Sequence, residues 1–444
     1  MKNKLIYIVS FGIILASCSK QLDTVPTQSI DVSAALNSSS NVLVALTGSY
    51  SDLGNANFYG GYPFIGAELL ANSGELNWSG TFQQFTQINL KAIPKTNTFV
   101  ASTWAAGYTA INDVNNVLSA LGVVDASQKN RVEGEAKFIR ACVLFDLVRL
   151  YAKSYNDGDP TANDGVPIVL TPTRGITADN LVKRNKVSEV YAQVIQDLTD
   201  AEAKLAGKNG FYANKTSAGA VLSRVYLQKG DYANAVQAAN RAITNAMANG
   251  YSLKSNVADA FPFGSGNTSE DIFAMQVTTS SGNNSFQTFF STSGRGDIQI
   301  NPAHTSQYES GDARLGLFGI SGGSTFTTKF DYVYGNVHIV RLAELYLTRA
   351  EANFRLNSSV GDLPLNDVNV VRSRAKLPAL LIVTLPAILK ERKLELAFEG
   401  FSLHDIKRTQ GAVGPLAWNS PKLVYPIPDR EIIVNPNLTQ NAGY

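Results

Sequence analysis

Apolar residues recur at spacings of three and four along most of this chain, and that period predicts helices. Val42 to Leu53 and Phe99 to Leu121 read this way, the second through Trp104, Tyr108, Ile111, Val114 and Leu118. Arg131 to Tyr151 carries Phe138, Ala141, Cys142, Phe145 and Val148 on one stripe. Leu144, Leu147 and Tyr151 widen that stripe, so this helix should be buried on most sides. A further helix opens at Ser188, with Val190, Tyr191, Val194, Ile195, Leu198 and Ala201 on its apolar face. Ala218 to Gly230 and Tyr232 to Asn245 form a helical hairpin in which Gly230-Asp231 makes the turn and caps the second helix. Small residues along both arms (Ala218, Ala220, Ala235, Ala238, Ala239, Ala242) allow close approach and sideways stacking, as in a tetratricopeptide unit.

Helical period returns over His338 to Leu356 and Asp362 to Ala375. The last strong stretch follows Thr384, which can cap it, and Pro386, which suits a first turn; it leaves sharply at Gly400. Glu391, Glu395 and Glu399 recur there every four residues. The nearby Arg392, Lys407 and Arg408, with Asp405, make salt-bridged packing the expected role of that row.

Two segments break the pattern. About 55–95 and 251–337 are rich in Gly, Ser, Asn and Thr, with aromatic residues set among them. Asp271 to Val277 reads as a short extended piece that pairs locally, and Val166 to Leu170 as another. Asn156 to Gly165 has the spacing of a calcium loop but no Glu at the twelfth position, so it reads as a turn cluster. The expected fold is mostly α: tetratricopeptide-like helical pairs form a scaffold, and long irregular insertions carry a few short strands.

The beginning of the chain has a different character. Lys2 and Lys4 precede an apolar run from Leu5 to Ala16, too short for the roughly 20 residues a bilayer span needs and suited to a signal peptide over 1–17. Leu15-Ala16-Ser17-Cys18 is similar to a bacterial lipobox, which would leave Cys18 as a lipid anchor and 18–30 as a tether. Residues 31–444 are then expected to form a single body. Without the leader's two lysines the charge is 36 basic against 36 acidic residues, and no basic stripe favours nucleic acid. No later run is apolar enough to cross a membrane. Cys142 is then alone in an apolar helical run and reads as an inert buried thiol.

Candidate chemistry lies in the irregular segments. The C–H face of a sugar ring stacks on an aromatic ring while its hydroxyls take directional hydrogen bonds. Loops that hold aromatic, amide and charged groups on a rigid scaffold suit that task. Tyr59, Tyr62, Asn77, Trp78 and Phe82 in the first segment are candidates, with Phe289, Phe290, Arg295, Asp297, Tyr332 and Tyr334 in the second. The competing reading is that the aromatic residues pin long loops to the body. Three histidines (His304, His338, His404) lie far apart, and neither metal-site nor nucleophile-elbow motifs occur. No catalytic residue, cofactor or metal is expected, although a glycosidase using only carboxylates is the enzyme alternative. A helical-repeat lipoprotein that binds peptide or protein as an assembly scaffold is the non-enzyme alternative.

Four motifs carry a resemblance to a known family. Glu135-Ala136 through Tyr151, Arg341-Leu-Ala-Glu344 through Ala352, Glu391-Arg392 through Thr409, and the closing run from Leu423 to Tyr444 stand in order along the chain. Together they are similar to the SusD/RagB family, departing from it at Cys142-Val143, where an aromatic pair is usual, and at Ala442, where proline is common. The resemblance implies a lipid-anchored protein of the cell outer membrane that captures oligosaccharide without catalysis. It also implies a SusC-like TonB-dependent transporter as partner and a ligand site on the irregular face, with residues that vary by ligand. The candidate residues therefore rest on their chemistry alone.

Overall fold

The computed structural model describes residues 35–444 apart from Ile176. The expected signal peptide, Cys18 and the tether lie outside them.

Fifteen α-helices occur among the described residues, and most belong to one continuous run of neighbours. Helix α1 (Ser39–Leu53) packs on α4 (Thr98–Ser119), and α4 on α5 (Ala126–Tyr151). The line continues through α6 (Val187–Lys204), α7 (Lys215–Lys229), α8 (Tyr232–Ala248) and α11 (Leu342–Leu356). Helices α12 (Pro364–Arg374) and α13 (Leu385–Glu395) both close on α11. Each helix touching the next is the stacking expected of tetratricopeptide-like pairs. The α7–α8 turn has the expected chemistry: Gly230 takes a left-handed φ of +77°, and the Asp231 carboxylate accepts the backbone N–H of Asn234. Helix α5 is buried along nearly all of its second half. Its Cys142 is 1% exposed, and burial pushes the thiol up to about 12, so it is inert.

The segment 55–95 holds more helix than its composition predicts: α2 (Tyr62–Ala71) and α3 (Gln83–Asn89) flank strand β1 (Leu76–Trp78). Pro63 in the first turn of α2 and a buried apolar run behind it account for the helix. In the second segment, β3 (Ile298–Ile300) pairs antiparallel with β1, so the two irregular segments meet. Strands β4 (Phe318–Ser321) and β5 (Ser324–Thr327) complete the four-stranded order β1-β3-β5-β4. The second segment also holds β2 (Asp271–Met275) and α9 (Ser285–Phe290) before β3, and α10 (Pro302–Thr305) after it.

Two local readings need correction. Strand β2 does not pair locally; it pairs with β6 (Val337–Arg341), where a helix was expected from His338 onward. Val337, Ile339 and Arg341 alternate within a short apolar run that serves a strand as well as a helix, and α11 starts only at Leu342. At the other site, Thr384 caps α13 and Pro386 lies in its first turn as expected, but the helix ends at Glu395 rather than near Gly400. Phe398 (φ +68°) and Gly400 (φ +87°) turn the chain toward α14 (Ser402–Arg408). A side chain at Gly400 would meet Phe64 at 2.7 Å, so glycine is required there by approach as well as by φ.

The acidic row is buried and fully used in packing, but its partners are not the expected neighbours. Glu391 pairs with Arg314 at 2.7 Å, and Glu395 with Arg341 at 3.1 Å and with Arg374. Glu399 pairs with Arg341 and Lys329, each at 2.8 Å. Arg392 instead holds Asp405, Arg408 holds Glu351 and Asp405, and Lys407 donates to the Leu423 carbonyl. Burial alone would raise the Glu395 carboxyl, but Arg374, Arg341, Arg314 and Lys329 pull it well below the usual carboxylate range. The last pairs, β7 (Ala412–Val413) with β8 (Leu416–Ala417), and helix α15 (Asp429–Val434), finish the chain.

Candidate functional site

Strand alternation sets the first group of candidates. In the β1–β3 register, Asn77 lies opposite Gln299 and Trp78 opposite Ile298. Asn77 points outward, and its amide donates to Gln299 Oε1 at 2.9 Å. Trp78 turns in: its indole N–H donates to Thr86 Oγ1 at 2.8 Å, and its ring meets Phe85 edge-on at 5.5 Å. Gly80 folds over the indole so closely that a Cβ there would stand 2.5 Å from Cζ2. Tyr62, Phe82, Phe99 and Phe289 complete the cluster, with ring centroids from 4.6 Å (Tyr62–Phe99) to 6.1 Å (Tyr62–Phe289). These contacts pin the 77–82 loop to the body, the competing reading of its aromatic residues.

Arg295 lies across the outer side of this cluster. Its guanidinium stands 4.8 Å over the Phe82 ring, while Nε donates to Asp297 Oδ2 at 2.6 Å and Nη2 to Thr81 Oγ1 at 3.1 Å. Asp297 is buried and Arg295 exposed. Sequence positions more than 200 apart are thus brought together, and Asn77, Phe82 and Arg295 keep polar or ring edges near solvent.

Three candidates have no ring face to offer: Tyr59, Phe289 and Phe290 are 3%, 1% and 0% exposed. Tyr59 stacks on Phe58, and Phe290 packs among Phe286, Phe330 and Phe398.

Tyr332 and Tyr334 form a second group, with ring centroids 6.0 Å apart. Phe263, absent from the sequence-based candidates, stands edge-on to Tyr332 at 5.2 Å and is 79% exposed. The signal was present: Phe261-Pro-Phe-Gly264 has the aromatic-and-glycine texture that marks the 55–95 segment. A shallow recess beside Tyr332 is lined by Asn284, Asn336, Lys329 and His338. Asn284 donates to the Gly335 carbonyl and Asn336 to Asn267 Oδ1, which fixes both amides at the recess wall. Burial lowers the Lys329 amine, with Arg341 adding to the effect and Glu399 opposing it.

A single strip of chain joins the two groups. Ser291 Oγ donates to Asp331 Oδ1 at 2.6 Å and Ser293 Oγ to the Asp331 carbonyl at 3.1 Å, next to Tyr332. Two residues on, Arg295 reaches Thr81 and Phe82. The result is a connected surface of rings, amides, hydroxyls and one guanidinium. Among the described residues no group of three or more His, Cys, Asp or Glu side chains is placed to hold a metal ion. No helix among them is long and apolar enough to cross a membrane.

Comparison with known proteins agrees with this architecture. A family model described as starch-binding and associating with the outer membrane matches residues 20–227, and the SusD family model matches 326–420. SusD-like protein P2 of Formosa agariphila is 24% identical, with 100% of both chains covered. A SusD superfamily protein from Bacteroides vulgatus superposes with a TM-score of 0.83 at 23% identity, covering 92% of this chain and 99% of that one. A laminarin-binding SusD-like protein does so with a TM-score of 0.76 at 22% identity, covering 92% and 100%. The two family models account for both ends of the scaffold and three of the four sequence motifs, and the chain belongs to the SusD/RagB family, a carbohydrate-binding family that associates with the outer membrane.

Proposed function

We propose that this protein captures oligosaccharides at a cell surface and hands them on without altering them. The observation that carries the reading is the ring group of Phe263, Tyr332 and Tyr334, with Tyr332 lining a recess that has fixed amides in its wall. Ring faces beside oriented hydrogen-bonding groups are what a sugar requires. The strip through Ser293 to Arg295, Phe82 and Asn77 extends that surface. A laminarin-binding protein of the same fold supports glycan as the ligand class.

The chemistry of the surface favours binding over hydrolysis. A glycosidase needs two carboxyl groups held across a cleft. Here Asp297 is taken by Arg295 and Asp331 by Ser291, so neither faces a recess as a free acid or base. In this reading Cys18 is lipidated and tethers the body to the outer membrane, and a SusC-like TonB-dependent transporter receives the ligand. The helical run would give the rigid support such a hand-over needs.

Calorimetry against an oligosaccharide panel, with chromatography of the same samples, tests the proposal. Saturable heat with no shortened product is expected. Stacking of a nucleobase is worth about 1–3 kcal/mol, and a sugar ring falls near the lower end, so Tyr332→Ala or Tyr334→Ala should each weaken binding about fivefold. Product release would turn the reading toward a carboxylate-dependent glycosidase.

A further inference from the structure

We propose that the cavity between α2, α13 and α14 is a second binding site, for a small organic cation: an apolar body of one or two rings carrying a protonated primary amine. The cavity measures about 360 Å³, within the range of small-molecule sites. Leu76, Leu389, Leu396, Phe398, Phe401 and Ile406 give it mostly apolar walls. Ser73, Lys393, Gly411 and Ala412, all exposed, form its rim. It adjoins the aromatic surface at Leu76 of β1, but none of that surface's candidate residues lines it, and it does not depend on the glycan reading.

Charge chooses the ligand class. Three carboxylates and two permanent cations line the cavity: Glu68, Glu75 and Asp405 against Lys393 and Arg392. Glu75 is held by His304 at 2.7 Å and by Lys393, while Asp405 is held by Arg392 at 2.9 Å and Arg408 at 2.7 Å. Glu68 is 3% exposed and meets only neutral donors: the N–H of Gly400 at 2.8 Å, that of Ser402 at 3.3 Å, and the Ser402 hydroxyl at 2.6 Å. A buried carboxylate with no cation, beside an apolar space wide enough for a guest, lacks the countercharge that an ammonium group would supply. An anion would instead meet the surplus carboxylate, and a neutral guest would leave it uncompensated.

The same geometry gives the site a pH signature. Burial pushes the Glu68 carboxyl up to about 7, its three hydrogen bonds opposing this and Glu75 adding to it. A bound ammonium needs the ionised form, whose share rises from about one tenth at pH 6 to about nine tenths at pH 8. Affinity should therefore rise about tenfold between those pH values. Glu75, which burial would raise, is held at about 2 by His304 and Lys393. Asp405, also buried, is held below its ordinary range by Arg392 and Arg408, so neither of these acids titrates in this window. His304 of α10 also lines the cavity, so a variant must isolate the part played by Glu68.

The test is calorimetry of the full chain in detergent with benzylamine and, as the neutral counterpart, benzyl alcohol, at pH 6 and pH 8. Ala412→Trp plugs the rim without touching Glu68 and gives the background from the micelles. Glu68→Gln keeps the shape and the acceptor for the two backbone N–H groups, and thermal melts confirm that both variants fold. Expected are saturable benzylamine binding about tenfold tighter at pH 8, at least tenfold weaker benzyl alcohol, no pH dependence in Glu68→Gln, and no signal above background in Ala412→Trp. Equal binding of the alcohol, a pH profile that survives in Glu68→Gln, or no benzylamine binding by the unaltered protein would each overturn the proposal.

Discussion

At the scale of single residues, Trp78, read from sequence as a candidate for ligand stacking, turns out to be fixed by its surroundings. Trp78 spends its N–H on Thr86 and its ring on Phe85 and Phe289, so it holds the loop that presents Asn77 and Phe82. Trp78→Phe keeps most of the packing and leaves Thr86 without that donor. A loss of about 1 kcal/mol is expected in urea unfolding. Glu68 behaves oppositely to the paired Glu75 and Asp405. Its folded carboxyl, raised to about 7 by burial, stays protonated at pH values where the unfolded chain has lost the proton. The sign follows: its contribution is fully present below an unfolded value near 4.5 and is lost as pH rises through about 7. The difference in stability between Glu68→Gln and the unaltered protein should therefore move in the variant's favour by about 3 kcal/mol from pH 4 to pH 8.5. Paired denaturation curves across that range check it, and a constant difference would contradict it.

Elements were legible wherever the cause lay within a few residues. Thr384 caps α13 through an oxygen accepting the Ala387 N–H, so Thr384→Ala should cost about 1 kcal/mol in thermal unfolding. The α7–α8 turn, the α5 core stripe and the start of α13 are of the same kind, and each was readable from spacing and capping. The end of α13 was not, because its exit depends on Phe64 and Glu68 of α2, more than 300 residues earlier. Strand β6 was missed because Val337-His-Ile-Val-Arg341 suits either period, and its partner β2 decides the matter from 66 residues away. The acidic row shows the same limit: its burial in ion pairs was foreseen, but Arg314, Arg341, Arg374 and Lys329 lie in other elements. At the candidate surface, expected residues from two distant segments meet, as Phe82 and Arg295 do. Sequence alone could not tell Phe289 and Phe290, which are core, from Tyr332, which lines the recess, nor single out Phe263.

At the scale of the whole molecule, the long helical run and the irregular face divide the work. Neighbour-on-neighbour packing gives rigidity, and the buried ion cluster of Glu270, Glu391, Glu395 and Glu399 with Arg314, Arg341 and Arg374 ties β6 and α12 to α13 and the segment 251–337 to all three. Such a cluster fixes arrangement more than it adds net stability. On that base the rings of Phe263, Tyr332 and Tyr334 can keep their spacing when a ligand arrives. The central claim is that this surface binds glycan and does nothing else to it. The most direct measurement is calorimetry of the full chain in detergent with the oligosaccharide that gives the largest heat in a panel, compared with the Tyr332→Ala, Tyr334→Ala double variant. The account predicts saturable binding to the unaltered protein, at least a tenfold loss in the variant, and intact oligosaccharide in both samples. Unchanged affinity in a folded variant, or shortened oligosaccharide, would contradict it.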